Sequence, residues 1–287
     1  MLGLGAIAVA AAAAGALAAS GSSAEQKLQQ RVDCSMSAAQ DPSANVIRGT
    51  NGRDRLIGTP GDDVILGLGG NDKILGRGGN DIILAGPGRD DASGNAGDDI
   101  VCGEGGNDKL GGNGGSDQID GGPGADRITS GPGGKLRAGG TGGDLVMGQG
   151  GPDNIILSSY AMSMVKAGPG NDVVAVVAAA SGRRSTKTAP FVQGEGGNDV
   201  MSSGPSARGI YRFSGGAGND EISGNNGVDI IDLGPGNDVG RGFNGNDDIK
   251  GGGGNDRIFG QAGFDRANGG SGSDFCRTSE RVSSCEI

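Results

Sequence analysis

The sequence predicts an all-β fold, a solenoid of two parallel sheets with eighteen residues in each coil. Three observations predict it. Glycine and aspartate recur with a nine-residue period over most of the chain, and one aliphatic follows each aspartate at a fixed offset. Bulky side chains are nearly absent, with 65 Gly, 6 Phe, 2 Tyr and no Trp among 287 residues. Such a chain cannot fill a thick core, so its core must be thin and built from evenly spaced aliphatics.

The period is plainest in "GLGGNDKILGRGGNDIIL", residues 67–84. With Gly67 as position 1, position 4 is glycine from Gly52 to Gly151 without a miss. Position 6 carries Asp54, Asp63, Asp72, Asp81, Asp90, Asp99, Asp108, Asp117 and Asp126, then Lys135, then Asp144 and Asp153. A second run, resuming at Gly215, carries Asp220, Asp229, Asp238, Asp247, Asp256, Asp265 and Asp274. Position 8 is mostly aliphatic, as in Leu56, Ile65, Ile74, Ile83, Val101, Leu110, Ile119 and Ile128. Each phrase reads as a glycine-rich turn followed by a three-residue strand such as Lys73-Ile74-Leu75, with only the middle residue facing inward. One phrase carries the chain across and the next brings it back. Coils then stack at about 4.8 Å, the strand spacing.

An eighteen-residue return places Asp54, Asp72, Asp90, Asp108, Asp126 and Asp144 in one column. Asp63, Asp81, Asp99, Asp117 and Asp153 fall in a second column on the opposite edge, interrupted by Lys135. Carboxylates stacked this closely repel one another, so a cation is expected between them. Uncovered glycine carbonyls add oxygens. A hard ion taking six to eight oxygens fits such a cage, which favours Ca2+ over the strictly octahedral Mg2+. At Lys135 the ammonium either replaces a missing ion or points to solvent from a decayed repeat. Collagen is excluded because the period is nine with fixed Asp, and plain disorder does not explain the in-phase aliphatics.

These phrases resemble the RTX, or haemolysin-type, calcium-binding nonapeptide G-G-x-G-x-D-x-U-x, over almost everything from Gly49 to Arg277. The resemblance implies a parallel β-roll with Ca2+ in its turns, held by the in-phase aspartates Asp54 to Asp144 and Asp220 to Asp274. It divides the chain into a signal peptide (1–24), an amino-terminal cap (25–48), repeats (49–156), degenerate coils (157–214) with an insertion loop at 181–190, repeats (215–277) and a carboxy-terminal cap (278–287). The signal is read from the Ala-rich start and the Ala16-Leu17-Ala18 cleavage pattern, although no basic residue precedes Lys27. Cys276 occupies an inward position 8, and Cys285 follows nine residues later, which suggests a disulfide closing the last coil. Cys34 precedes the array and Cys102 sits at an outward position 9 beside Leu66 and Leu84, suggesting a second disulfide. Exported proteins built of these repeats look similar; free thiols are the alternative.

Composition narrows function further. The chain has no histidine, which removes Ser/His/Asp triads and His-ligated zinc or iron sites. A formal net charge of -10 favours cations and disfavours nucleic acid. "GPGGKL", 131–136, lacks the Ser or Thr of a phosphate loop. The expectation is therefore a secreted, non-enzymatic calcium-binding protein with no membrane span in its mature chain and with cell-surface or matrix partners. The alternative is a solenoid enzyme acting on polysaccharides, using Asp172, Arg183, Arg184, Lys187 and Asp199 on coils 157–214. A third reading is a surface-binding scaffold using the outward residues Ile57, Leu66, Leu75 and Leu84.

Overall fold

A glycine-rich phrase turns the chain, the next three residues extend, and in the structure each extension finds a neighbour one coil away. The computed structural model describes Cys34 and residues 45–131, 144–158, 163–177, 190–204, 209–278, 281–283 and Cys285. Among them every regular element is a strand, and no helix is long and apolar enough to cross a membrane. Sheet 1 has 13 strands, from Asn45–Arg48 through Asp63–Leu66, Ile82–Pro87 and Ile100–Gly105 to Arg281–Ser283. Sheet 2 has 12, from Arg55–Ile57 through Lys73–Gly78 and Asp91–Ala96 to Phe275–Arg277. The chain alternates between the two sheets, and every pairing is parallel, which is the predicted two-sheet β-solenoid.

Register confirms the eighteen-residue coil in the regular runs. Ile65 stands beside Ile83 and Val101 in sheet 1, and Leu56 beside Ile74, Ala92 and Leu110 in sheet 2. These position 8 residues point between the sheets and form one continuous buried cluster running to Ala267 and Cys276. The Ile, Leu and Val among them each contribute roughly 1.5–3 kcal/mol by burial. Gly240 is an inward position with no side chain. Leu233, at position 1 of the preceding turn, is fully buried and its methyl groups lie 3.2–3.3 Å from where a Gly240 Cβ would stand.

Coils lengthen in the middle of the stack. The separation between equivalent residues rises from 18 to 27 between Asp126 and Asp153, then runs 19, 27 and 21 to Asp220 before returning to 18. All the added residues enter where the chain crosses from sheet 2 back to sheet 1: between Thr129 and Leu145, Leu157 and Met164, Val176 and Phe191, and Ser203 and Tyr211. The opposite crossing never changes length. Four consecutive insertions therefore share one edge of the roll. Lys135 and the expected loop at 181–190, apart from Pro190, fall in these insertions, outside the described residues.

Both expected disulfides are present, Cys34–Cys102 and Cys276–Cys285. Cys102 lies on the outer face of sheet 1 in a second buried cluster with Val64, Leu66 and Leu84. The scaffold reading used the outward residues Ile57, Leu66, Leu75 and Leu84, which lie on two different faces. Ile57 and Leu75 are half-buried on sheet 2, whereas Leu66 and Leu84 are buried on sheet 1. Successive phrases alternate between sheets, so their outward residues alternate too. At the carboxy-terminal end Arg281–Ser283 adds one more strand to sheet 1, and Cys285 packs on the core.

Candidate metal centre

Position 6 is the last residue of each turn, immediately before the strand, and its carboxylate folds back over the turn. On the sheet 2 edge the backbone N–H of each aspartate donates to Oδ1 of the aspartate one coil on, at 2.7–3.0 Å. The ladder is unbroken along that edge: Asp54, Asp72, Asp90, Asp108, Asp126, Asp153, Asp172, Asp199, Asp220, Asp238, Asp256 and Asp274. The sheet 1 edge carries Asp63, Asp81, Asp99, Asp117 and Asp144, then Asp229, Asp247 and Asp265. Between those two runs the ladder places are taken by Ser163, Pro190 and Tyr211.

All the sequence-predicted aspartates therefore lie in the two columns, with one correction. Asp144 was expected above Asp126 and Asp153 above Asp117. The structure exchanges them, because Asp117 bonds to Asp144 and Asp126 to Asp153, each across 27 residues. The described strands on either side of the Lys135 phrase pair directly, and the neighbours expected for Lys135 meet other partners. Asp153, Asp172 and Asp199 complete the sheet 2 column, although they were not among the expected ligands. The role of position 5 was also missed. Asn71, Asn80, Asn107, Asn171, Asn198, Asn219, Asn237, Asn246 and Asn255 each accept, through Oδ1, the N–H of the residue one coil on. The repeated Asn-Asp pair was the signal: its two residues run ladders in opposite directions.

While Oδ1 completes the ladder, Oδ2 is left over. In Asp72, Asp90, Asp108, Asp153, Asp172 and Asp238, among others, Oδ2 is buried without a hydrogen-bond partner. Backbone oxygen lies close by. A Cβ added at Gly103 would stand 2.6 Å from Asp108 Oδ2 and 2.5 Å from the Gly121 carbonyl oxygen of the next coil. At Gly49 the same construction gives 2.8 Å to Asp54 Oδ2 and 2.6 Å to the Gly67 carbonyl. Glycine at position 1 thus opens a space about one atom wide, lined by a carboxylate and a carbonyl from neighbouring coils.

The electrostatics fit a cation. Burial pushes the carboxyls of Asp108, Asp117, Asp153 and Asp238 up to about 7, and those of Asp81, Asp99, Asp126, Asp172, Asp199 and Asp247 to about 6. Lost hydration is the largest cause, the ladder hydrogen bond opposes it, and neighbouring carboxylates raise most of them further. Among the described residues no three His, Cys, Asp or Glu side chains converge, so a bound ion would draw many of its oxygens from the backbone. An all-oxygen donor set of carboxylates and carbonyls suits calcium, which tolerates irregular coordination by six to eight oxygens. Bound there, calcium would supply the positive charge that keeps neighbouring carboxylates ionised and stacked.

Turn conformation separates two kinds of turn. At position 2 the backbone is left-handed even where the residue is not glycine, as in Leu68 (φ 77°), Arg77 (88°), Glu104 (70°), Glu195 (79°) and Phe243 (73°). Only glycine takes this region readily, and other residues pay roughly 1–2 kcal/mol. Thr50, Thr59 and Asn225 depart from it. Their N–H groups donate to Oδ2 of Asp54, Asp63 and Asp229, at 2.6–2.7 Å. These three are the first aspartates of their runs, and a hydrogen bond occupies the oxygen that elsewhere is unpartnered.

The profile of the RTX calcium-binding nonapeptide repeat matches residues 48–83, 75–110, 111–134, 212–239 and 241–276, together just over half of the chain. A search among curated proteins finds no match. The matched segments are the regular runs on either side of the lengthened coils, and the aspartate columns pass through both. With that profile and this stacked geometry in agreement, the chain belongs to the RTX calcium-binding nonapeptide-repeat family.

Proposed function

We propose that this calcium-binding β-roll is an exported, non-catalytic protein that folds when it meets calcium and then serves a structural role at a surface or in a matrix. The observation that carries the reading is the sheet 2 column, a buried carboxylate on every coil from Asp72 to Asp274. Without a cation, so many desolvated charges and so many glycines oppose folding. Two disulfides fit an oxidising compartment, as does the signal-like Ala-rich start.

The enzyme reading needed Asp172 and Asp199 free for catalysis. Both stand in the calcium column with their Oδ1 atoms in the ladder, which explains them without chemistry on a substrate. Arg183, Arg184 and Lys187, the cations of that reading, lie outside the described residues. Circular dichroism tests the folding step: β content is expected in millimolar calcium and its loss with excess chelator. Equal β content in both would overturn the proposal. Fractionation of producing cells tests the location, and retention of the chain in the cytosol would overturn export.

A further inference from the structure

A groove runs along the turn edge of sheet 2 in the first five coils. Two clefts of about 440 and 380 Å3 share Arg89 and Lys109 and so join end to end. Arg53, Lys73, Arg89, Lys109 and Arg127 line them, all exposed. The only carboxylate lining them outside the column is Asp91, 3.3 Å from Lys109 and 4.0 Å from Lys73. Such exposed pairs are weak.

This basic stripe is local. The positions equivalent to Lys73, Lys109 and Arg127 are Val64, Ile82, Ile100, Gln118 and Leu145 on sheet 1 of the same coils. Farther along sheet 2 they are Asn154, Val173, Val200, Glu221, Val239, Arg257 and Phe275, with one isolated cation among the seven. Five cations on one edge stand out in a chain of net charge -10. Their spacing is regular as well. Arg53 and Arg89 are two coils apart, as are Lys73 and Lys109, which places like charges at intervals of about 9.6 Å along the axis.

We propose that this groove binds a linear anionic glycan, one carrying sulfate or carboxylate groups at regular intervals. A straight row of evenly spaced cations complements a polymer of repeating charge. No aromatic side chain lines either cleft, so the stacking platform that holds single-stranded nucleic acid is missing. The inference rests on the calcium reading in one respect. Asp72, Asp90, Asp108 and Asp126 form the floor of the groove, and bound calcium would neutralise them, leaving the exposed cations to set its charge.

Titration of the full chain in millimolar calcium with dextran sulfate tests the proposal, with neutral dextran and oligothymidylate of matched length alongside. Dextran sulfate is expected to bind, more weakly as salt rises. The triple variant Lys73→Gln, Arg89→Gln, Lys109→Gln should weaken it by about tenfold or more. Arg241→Gln with Arg257→Gln, on distant coils of the same sheet, should leave it unchanged. No binding of dextran sulfate, equal binding by the triple variant, or tighter binding of oligothymidylate would each overturn the proposal. Circular dichroism of the same samples reports separately on calcium-driven folding, so failure of that reading is recognised by itself.

Discussion

At the residue scale, the aspartate of each turn has two oxygens with different tasks. Oδ1 ties coils together; on the proposed calcium reading Oδ2 is the ligand, except where Thr50, Thr59 or Asn225 occupies it. Asp199 is shared between the coils of Asp172 and Asp220. Asp199→Asn keeps a ladder acceptor and removes charge, so calorimetry should show loss of both calcium sites that Asp199 shares. Ser163 offers the reverse experiment. Its hydroxyl already accepts the Asp144 N–H at 3.0 Å, so Ser163→Asp should add calcium binding next to Asp144. Unchanged stoichiometry in both variants would argue against the columns as the ion sites. Protons compete for the same carboxylates. Their pKa values in the ion-free roll are raised from 3.8 to about 6 or 7, so that roll holds more protons than the unfolded chain between those limits. Ion-free stability therefore falls as pH rises through this window, whereas calcium binding strengthens as protons leave. Neither the unfolded chain nor the calcium-bound roll holds these protons between pH 8 and 5, so the calcium midpoint for folding should not rise as pH is lowered over that range, and a midpoint that rose would contradict this.

At the scale of the element, a half-coil is a turn and a strand with one inward residue, and each part was legible in a different degree. The strands, their alternation and the inward residues from Leu56 to Ile128 followed from the nine-residue period, because position 8 has the same environment in every copy. The exchange of Asp144 and Asp153 was not legible, for a definite reason. Nine residues are half a coil, so leaving one phrase out preserves the phase of the repeat while moving everything after it to the opposite edge. Periodicity cannot distinguish a separation of 27 from one of 18 plus a missed half-turn. The left-handed residues at position 2 were hidden because Leu68, Arg77 and Glu195 share no side-chain chemistry; backbone geometry alone unites them. Two substitutions test the half-coil directly. Ile128→Ala leaves a fully buried inward position short of three carbons and should cost about 2–4 kcal/mol in calcium-saturated unfolding. Gly103→Ala adds a Cβ 2.5 Å from the Gly121 carbonyl and 2.6 Å from Asp108 Oδ2, so it should weaken calcium affinity as well as stability. Ile128→Ala, which touches no ligand, should act on stability alone.

In the molecule as a whole, the stability of stacked coils is approximately the sum of what each coil contributes and what it shares with its neighbours. These contributions are unevenly distributed here. The regular runs carry aspartates on both edges and a core of single aliphatics. The coils between Asp144 and Asp229 lack sheet 1 aspartates, and their core is heavier: Leu157 and Val176 add second inward residues, and Met201, Tyr211 and Phe213 replace smaller ones. Tyr211 and Phe213 also stack, with ring centroids 6.3 Å apart. On the proposed calcium reading, fewer ion sites and more buried apolar surface should make the middle less dependent on calcium than the ends. The disulfides stand at those ends, Cys34–Cys102 on the early coils and Cys276–Cys285 on the last, where loss of ions would otherwise free the stack to fray. Removal of calcium should then unravel the roll from the regular runs while the centre persists. Hydrogen exchange after addition of chelator measures this. Amides in Met164–Pro169, Phe191–Gly196 and Tyr211–Ala217 should stay protected longer than those in Lys73–Gly78 or Arg257–Ala262. If the whole chain lost protection at one rate, the coils would form a single cooperative unit, and the heavier central core would not offset the missing aspartates. If the centre exchanged first, calcium would outweigh apolar burial everywhere in the roll.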